Sequence, residues 1–124
     1  MNLNKINNWF KNYTDKKKIY DLKNILDLTI VIFSFQRPEC IVKSAAYWNN
    51  KPVKILFIDG SEKILNKDSR NIIKKLKNIY YFHLPNKSIP QRINFGINKS
   101  KTTYTMCQGD DDFYLFSGLI EAVK

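Results

Sequence analysis

The chain has 124 residues, which suits one globular domain with its own core and leaves no room for two. Lysine and arginine number 21 against 11 aspartates and glutamates, so the net charge is +10, a balance that favours polyanionic partners. The single histidine, His83, excludes a multi-histidine metal cage.

The excess of lysine has two interpretations. Most lysines are mixed with asparagine, as in residues 49–51, a composition that AT-rich coding sequence produces on exposed surfaces without any functional demand. The alternative is a basic nucleic-acid-binding module. Because lysines and aromatic residues form no clear binding platform along the sequence, we expect no specific nucleic-acid partner.

The cysteines and the hydropathy pattern indicate where in the cell the protein is expected. Cys40 and Cys107 form no CxxC pair and lie among apolar neighbours, so we expect two small buried hydrophobic residues in a reduced, cytoplasmic protein. The longest strongly apolar stretch, residues 28–35, is far shorter than the ~20 residues that cross a bilayer. A peripheral position at the inner face of the membrane is the alternative location.

The first half of the chain divides into a leader and the start of a domain. Residues 1–26 are polar and lysine-rich with loosely helical apolar spacing, which predicts a helical leader ahead of a domain over 27–124. That domain opens with a β-branched and aromatic run over 28–35, typical of a strand buried on both faces. A helix from Pro38, a strand over 53–58 and a turn over 59–61 follow.

The second half continues the alternation of helices and strands. An amphipathic helix over 65–76 leads to a strand over 78–84, and a Ser-x-x-Gln capping box at 88–91 starts the next helix. A fourth strand over 102–108 runs into an acidic loop, and a last helix covers 115–123. This order predicts an α/β, Rossmann-like, mainly parallel sheet in the spatial order 3-2-1-4 with flanking helices.

Three carboxylates follow the fourth predicted strand. In open α/β sheets ligands bind beyond the carboxyl ends of the strands, where residues 34–37, Asp59 and the 109–112 loop would meet. Adjacent carboxylates repel one another, and Mg²⁺ or Mn²⁺ bound through oxygen ligands would offset that repulsion. The alternative is a solvated acidic loop at the start of the last helix.

Other polar residues at this edge also have two interpretations. Asp59 either forms a simple Asp-Gly turn or accepts hydrogen bonds from a base N–H or a ribose hydroxyl. Arg92, in the first turn of its helix, is either solvated or placed to meet a phosphate or base edge. Arg37 follows the first strand and could reach the same edge, and we expect His83 to be a polar strand-end residue.

Four motifs in this order resemble those of GT-A-fold glycosyltransferases of the inverting family 2 type. Residues 29–39, TIVIFSFQRPE, are similar to the family's opening strand and loop, and the turn at 58–61 to its "vvDdgS" element. Residues 91–97 resemble the "aRNxgi" helix, and 109–113 the DXD metal motif. The chain departs from the pattern in having a single Asp at 59 and Gln36 in place of Asn.

The resemblance implies a nucleotide-sugar donor, usually UDP-linked, bound with Mn²⁺ or Mg²⁺, and transfer of its sugar to an acceptor hydroxyl. It makes Asp110 and Asp112 the metal ligands, whereas an alignment with Gly109 in the first position makes Asp111 and Asp112 the important pair. It implies nucleotide binding by residues expected at the carboxyl edge of the sheet: Ser34, Phe35, Arg37, Asp59, Arg92, Asp110 and Asp111.

The resemblance extends over the donor-binding half of such enzymes. We therefore expect the acceptor contacts and the catalytic base to come from a further half or a partner, with self-association as another possibility, and we assign no catalytic residue. A non-catalytic nucleotide-binding remnant is the alternative function.

Overall fold

The computed structural model describes residues 5, 7, 8, 24–49 and 51–124, so most of the leader predicted over 1–26 lies outside the described residues. Within the described part, strands and helices alternate without interruption. In chain order they are β1 (Leu28–Ser34), α1 (Pro38–Trp48), β2 (Lys54–Asp59), α2 (Lys67–Lys74), β3 (Ile79–His83), α3 (Ile89–Lys99), β4 (Tyr104–Gly109) and α4 (Phe116–Val123).

The strands form one sheet in which all pairings are parallel. Their order is β3-β2-β1-β4, which confirms the predicted α/β arrangement and strand order. In register, Ser34 lies beside Asp59, and Asp59 lies beside His83. The carboxyl ends of the strands therefore meet at one edge of the sheet, as the sequence predicts.

The first face of the sheet carries the larger core. Alternate residues of β1 and β2, such as Ile32 and Phe57, are fully buried there against side chains from three helices. Trp48 of α1, Ile73 of α2 and Leu119 of α4 belong to the same cluster. Burial of this apolar surface is the main stabilising contribution to the fold.

The second face of the sheet carries a smaller cluster formed by Val31, Leu56 and Ile58, against which Phe95 of α3 packs. The helix approaches closely, because a Cβ atom at Gly96 would lie only 2.6 Å from Cγ1 of Val31. Since β1 is covered on both faces, it needs apolar side chains at nearly every position, which explains its unbroken apolar run.

Local hydrogen bonds set the ends of several elements. The predicted capping box is present: Ser88 Oγ accepts a hydrogen bond from the N–H of Gln91 at 3.3 Å, and Gln91 accepts one from the N–H of Ser88 at 2.8 Å. Helix α2 begins at Lys67 rather than 65, because Asn66 caps it. Strand β4 begins at Tyr104 rather than 102.

The two cysteines differ in their exposure to solvent. Cys40 is partly buried, but the expectation of a buried Cys107 is wrong, since its side chain is exposed on the edge strand β4. Apolar neighbours in sequence do not bury a residue whose own side of an edge strand faces solvent.

In the described residues, no helix is long and apolar enough to span a bilayer.

Candidate functional site

The side chain of Asp110 is fully buried immediately after β4. Its Oδ2 accepts a hydrogen bond of 2.6 Å from the hydroxyl of Ser34 at the end of β1, and its Oδ1 accepts one from the guanidinium of Arg37. A buried carboxylate requires such partners, because desolvation without them is costly. Asp110 thus joins the ends of β1 and β4, and both of its oxygens are already engaged by protein groups.

Asp111 and Asp112 are placed differently, because both residues are exposed. A Cβ atom at Gly109 would lie 3.3 Å from Oδ1 of Asp111 and 3.3 Å from Oδ2 of Asp112, so one oxygen of each carboxylate faces the same point. The side-chain amide of Gln108 donates a hydrogen bond to the main-chain carbonyl of Asp112 at 3.0 Å, which holds the loop. One oxygen of each of these carboxylates thus lies near the same point, although Oδ2 of Asp111 also lies 3.7 Å from the guanidinium of Arg37, and the carboxylate of Asp110 is directed into its own ion pair with that residue.

The carboxylates of residues 110–112 determine how this loop could bind a divalent cation. In the described part of the chain, no three His, Cys, Asp or Glu side chains form a group that could hold a metal ion by themselves. Mg²⁺ commonly binds through one or two carboxylates completed by water and substrate phosphates. The exposed pair Asp111 and Asp112 fits that mode, in keeping with the second alignment of the acidic motif, and Asp110 fits it less well.

Asp59 is buried at the end of β2 and forms a tight local network. Its Oδ1 accepts a hydrogen bond from the N–H of Ser61 at 3.0 Å and another from the hydroxyl of Ser61. Its Oδ2 accepts a hydrogen bond of 2.5 Å from the hydroxyl of Tyr81 on β3. The predicted Asp-Gly turn is therefore present, and it is tied to the neighbouring strand.

Burial raises the pKa of Tyr81, and its hydrogen bond to Asp59 raises that pKa further. Tyr81 therefore remains a neutral donor to the Asp59 carboxylate over the whole physiological range. His83, two residues further along β3, donates from Nε2 to the carbonyl oxygen of Ser61 at 2.7 Å. This confirms its expected role as a polar strand-end residue.

Gln36 links the loop after β1 to the turn after β2. Its φ of 56° lies in the left-handed region, which is uncommon for a residue other than glycine and often marks a functional loop. Its N–H donates to Ser61 Oγ at 2.7 Å, and its side-chain oxygen accepts from the N–H of Glu62 at 3.2 Å. The two loops that would enclose a ligand are thus joined in one defined arrangement.

A pocket of about 440 Å³ opens between these loops, within the usual range for small-molecule sites. The pocket is lined by Gln36, Pro38, Asp59 and Ser61 together with the residues that lead to α2. Phe35, in the loop after β1, is 56% exposed and is available for contact with a flat ligand.

Arg92 lies across the end of β2. A Cβ atom at Gly60 would be 1.9 Å from a terminal guanidinium nitrogen of Arg92, so only glycine leaves room for that side chain. Its Nε is buried without a hydrogen-bond partner among the described residues, which also supply no carboxylate within ion-pair distance. A guanidinium that lacks a protein counter-ion at this edge is a candidate anion ligand.

The site residues predicted from the sequence therefore all lie at the carboxyl edge of the sheet, in two groups. Asp110, Ser34 and Arg37 form one network, and Asp59 belongs to another, to which the sequence interpretation did not assign Ser61 or Tyr81. The hydrogen bond from Tyr81 to Asp59 depends on the register of β2 and β3, for which the sequence carries no local signal. No known family model matches the chain, and no curated protein sequence is significantly similar to it.

Proposed function

We propose that the chain binds a nucleoside diphosphate sugar, with Mn²⁺ or Mg²⁺, at the carboxyl edge of its sheet, as the donor-binding domain of a glycosyltransferase. The observation that carries this proposal is the convergence of Asp111 and Asp112 over Gly109, at the same edge as Arg92 and the pocket beside Asp59. Carboxylates for a cation and an uncompensated guanidinium for phosphate are the complementary charges that a metal-bound diphosphate needs.

Each group then has a defined task. Asp111 and Asp112 would hold the cation, Arg92 would bind a phosphate oxygen, and the pocket beside Asp59 would take the base. The cation would neutralise charge on the departing diphosphate. The Arg37–Asp110 pair is a positioning element, because it fixes the loop that carries the two metal-binding carboxylates.

Titration calorimetry with UDP tests the metal site. We expect UDP to bind much more tightly with Mn²⁺ than without it, because the exposed carboxylates repel a bare diphosphate. Asp112→Asn and Asp111→Asn should each weaken the Mn²⁺-dependent binding by about tenfold or more, since a contact to a charged group is worth about 1.5–3 kcal/mol. Glu121→Gln, which changes an exposed carboxylate on α4, is the matched control.

Equal affinity of the unaltered chain for UDP with and without Mn²⁺ would refute the metal site. A loss of affinity in Asp110→Asn and Asp112→Asn, with none in Asp111→Asn, would instead favour the first alignment of the acidic motif. Turnover separates the two functions that share this site: release of UDP coupled to an acceptor hydroxyl identifies a transferase, and binding without turnover identifies a nucleotide-binding protein.

The base pocket is tested by Asp59→Ala. If Asp59 accepts a hydrogen bond from the base, its loss leaves a donor unpaired at about 1–3 kcal/mol, and the preference for UDP over ADP and GDP should fall. If the residue serves the turn alone, unfolding in urea should show lower stability while the nucleotide preference stays unchanged. Tyr81→Phe is the control, because it removes a neighbour of the carboxylate but leaves the carboxylate in place.

A further inference from the structure

A second hollow lies on the second face of the sheet, toward the starts of its strands. It has a volume of about 220 Å³ and is lined by Lys54 at the start of β2, Lys99 at the end of α3 and Lys101. Lys54 and Asp59 are the first and last residues of β2, so the length of that strand, about 3.3 Å per residue, separates this hollow from the nucleotide pocket.

The positive charge of this hollow is not balanced locally. Lys54, Lys99 and Lys101 form no ion pair with any carboxylate in the described part of the chain. The Lys99 ammonium lies 5.6 Å from the ring centroid of Phe82 and 5.4 Å from that of Phe95, a cation–π arrangement that holds it in place without neutralising it. The hollow therefore favours an anion.

Aromatic surface lies between the charges. Tyr80, on edge strand β3, is half-buried, with 44% of its surface exposed. Tyr80 and Phe82 line this hollow and also a neighbouring one of about 400 Å³, to which Arg70 and Lys74 contribute. Basic side chains thus lie on both sides of an exposed ring.

The size of the hollow indicates which part of a ligand it takes. At about 220 Å³ it is smaller than the range of about 300–1,000 Å³ typical of pockets that enclose a whole small molecule. It suits one flat ring of a longer anion that continues past Tyr80 into the neighbouring hollow. An acidic peptide would leave the tyrosine face unused, and a duplex keeps its bases stacked on one another.

We propose that this basic–aromatic strip, formed by Lys54, Lys74, Tyr80, Lys99 and Lys101, binds single-stranded nucleic acid. A base stacks on Tyr80, and the lysines contact the flanking phosphates, which is the general chemistry of sequence-tolerant single-strand binding. RNA and DNA strands share this chemistry. The proposal does not depend on nucleotide-sugar binding, because Lys54, Tyr80, Lys99 and Lys101 take no part in the candidate nucleotide site, although the neighbouring hollow extends to Tyr81 and His83 beside it.

Fluorescence anisotropy of the full chain with labelled oligo-dT, oligo-U and an abasic strand of equal length tests the stacking step. We expect Tyr80→Ala to weaken binding of the strands that carry bases by about fivefold or more, and Tyr80→Phe to retain it. The abasic strand should bind more weakly to the unaltered chain, and Tyr80→Ala should not weaken it further. Tyr104→Ala, at a 55% exposed tyrosine on the opposite edge strand, is the matched control.

The salt dependence tests the phosphate contacts. Replacing Lys99 and Lys101 with glutamine should reduce the slope of log affinity against log salt by about 1.4, at about 0.7 per phosphate contact on a single strand. The same replacements at the exposed Lys43 and Lys87 should leave the slope unchanged.

The proposal is overturned if the abasic strand binds as tightly as oligo-dT, if Tyr80→Ala has no effect, or if the control lysines matter equally. A blunt duplex that binds as tightly as a single strand also overturns it. A tighter complex with oligo-U than with oligo-dT would support the proposal and identify RNA as the ligand, and the reverse would identify DNA.

Discussion

At the scale of single residues, burial distinguishes three neighbouring aspartates of identical chemistry. Its carboxylate is enclosed and paired with Arg37, whereas those of Asp111 and Asp112 remain exposed. A buried carboxylate that loses its cationic partner is strongly destabilising, although the half-exposed Arg37 reduces that cost here.

We therefore expect Arg37→Gln to lower the free energy of unfolding by about 2–3 kcal/mol, measured by urea denaturation. In an Asp110→Asn background the same substitution should cost much less, because no buried charge is then left unpaired. An equal cost in both backgrounds would contradict the ion pair. Asp111→Asn, which alters an exposed neighbour, should change stability by no more than about 0.5 kcal/mol.

Tyr81 gives a prediction about pH. Its pKa is raised in the folded chain, mainly by burial, relative to about 10 in the unfolded chain. Between those two values the unfolded chain holds fewer protons than the folded one, so the free energy of unfolding falls as the pH rises above about 10. Urea titrations at several alkaline pH values should show a smaller decline in Tyr81→Phe, and identical declines would contradict the raised pKa.

At the scale of elements, the close contact between α3 and β1 gives a matched pair of substitutions. A methyl group at Gly96 would meet the buried side chain of Val31, so Gly96→Ala should destabilise the fold by about 1–3 kcal/mol. Gly118 in α4 has open space around its Cβ position, and Gly118→Ala should stabilise by about 0.5–1 kcal/mol. Thermal unfolding of both variants checks the signs, and a neutral Gly96→Ala would refute the tight packing.

The elements could be predicted from the sequence because their signals are local. The unbroken apolar run of β1 reports burial on two faces, and the capping box at Ser88 and Gln91 fixes the start of α3. The strand order followed from the alternation of strands and helices together with the handedness of crossovers. These features depend on neighbours within a few residues or on general rules of chain geometry.

The site was predictable only in its location. The bond between Ser34 and Asp110 joins residues 76 positions apart, and no local pattern shows which of three adjacent aspartates turns inward. In the same way, the hydrogen bond from Tyr81 to Asp59 depends on the register of β2 and β3. Side-chain partners across strands are set by tertiary packing, so periodicity carries no signal for them.

At the scale of the whole molecule, charges are separated along the strand direction. Asp59 ends β2 and the 110–112 loop follows β4, whereas Lys54 begins β2 and Lys101 precedes β4. These carboxylates therefore lie at one edge of the sheet and these two lysines at the other, where Asp27 also lies just before β1. This arrangement would let one small domain carry both the proposed cation site and the proposed nucleic-acid surface without mutual neutralisation.

Ligand-linked stability tests the carboxyl edge as a unit. UDP with Mn²⁺ at about one hundred times its dissociation constant should stabilise the chain by about 2.7 kcal/mol, because only the folded sheet brings the loops together. Chelation of the metal by EDTA should remove most of that gain. Urea midpoints with and without EDTA provide the measurement, and a gain that survives chelation would show that the nucleotide binds without the cation.

The central position of β1 has a consequence for the order of assembly. The strands β1, β2 and β3 are neighbours both in the chain and in the sheet, so they can pair as the polypeptide emerges during synthesis. Strand β4 comes last and must return to the far side of β1, closing the longest loop at the greatest entropic cost. Ser34 and Arg37 therefore have no Asp110 partner until β4 has been synthesised, and we expect the contacts of Asp110 to form after β1, β2 and β3 have paired.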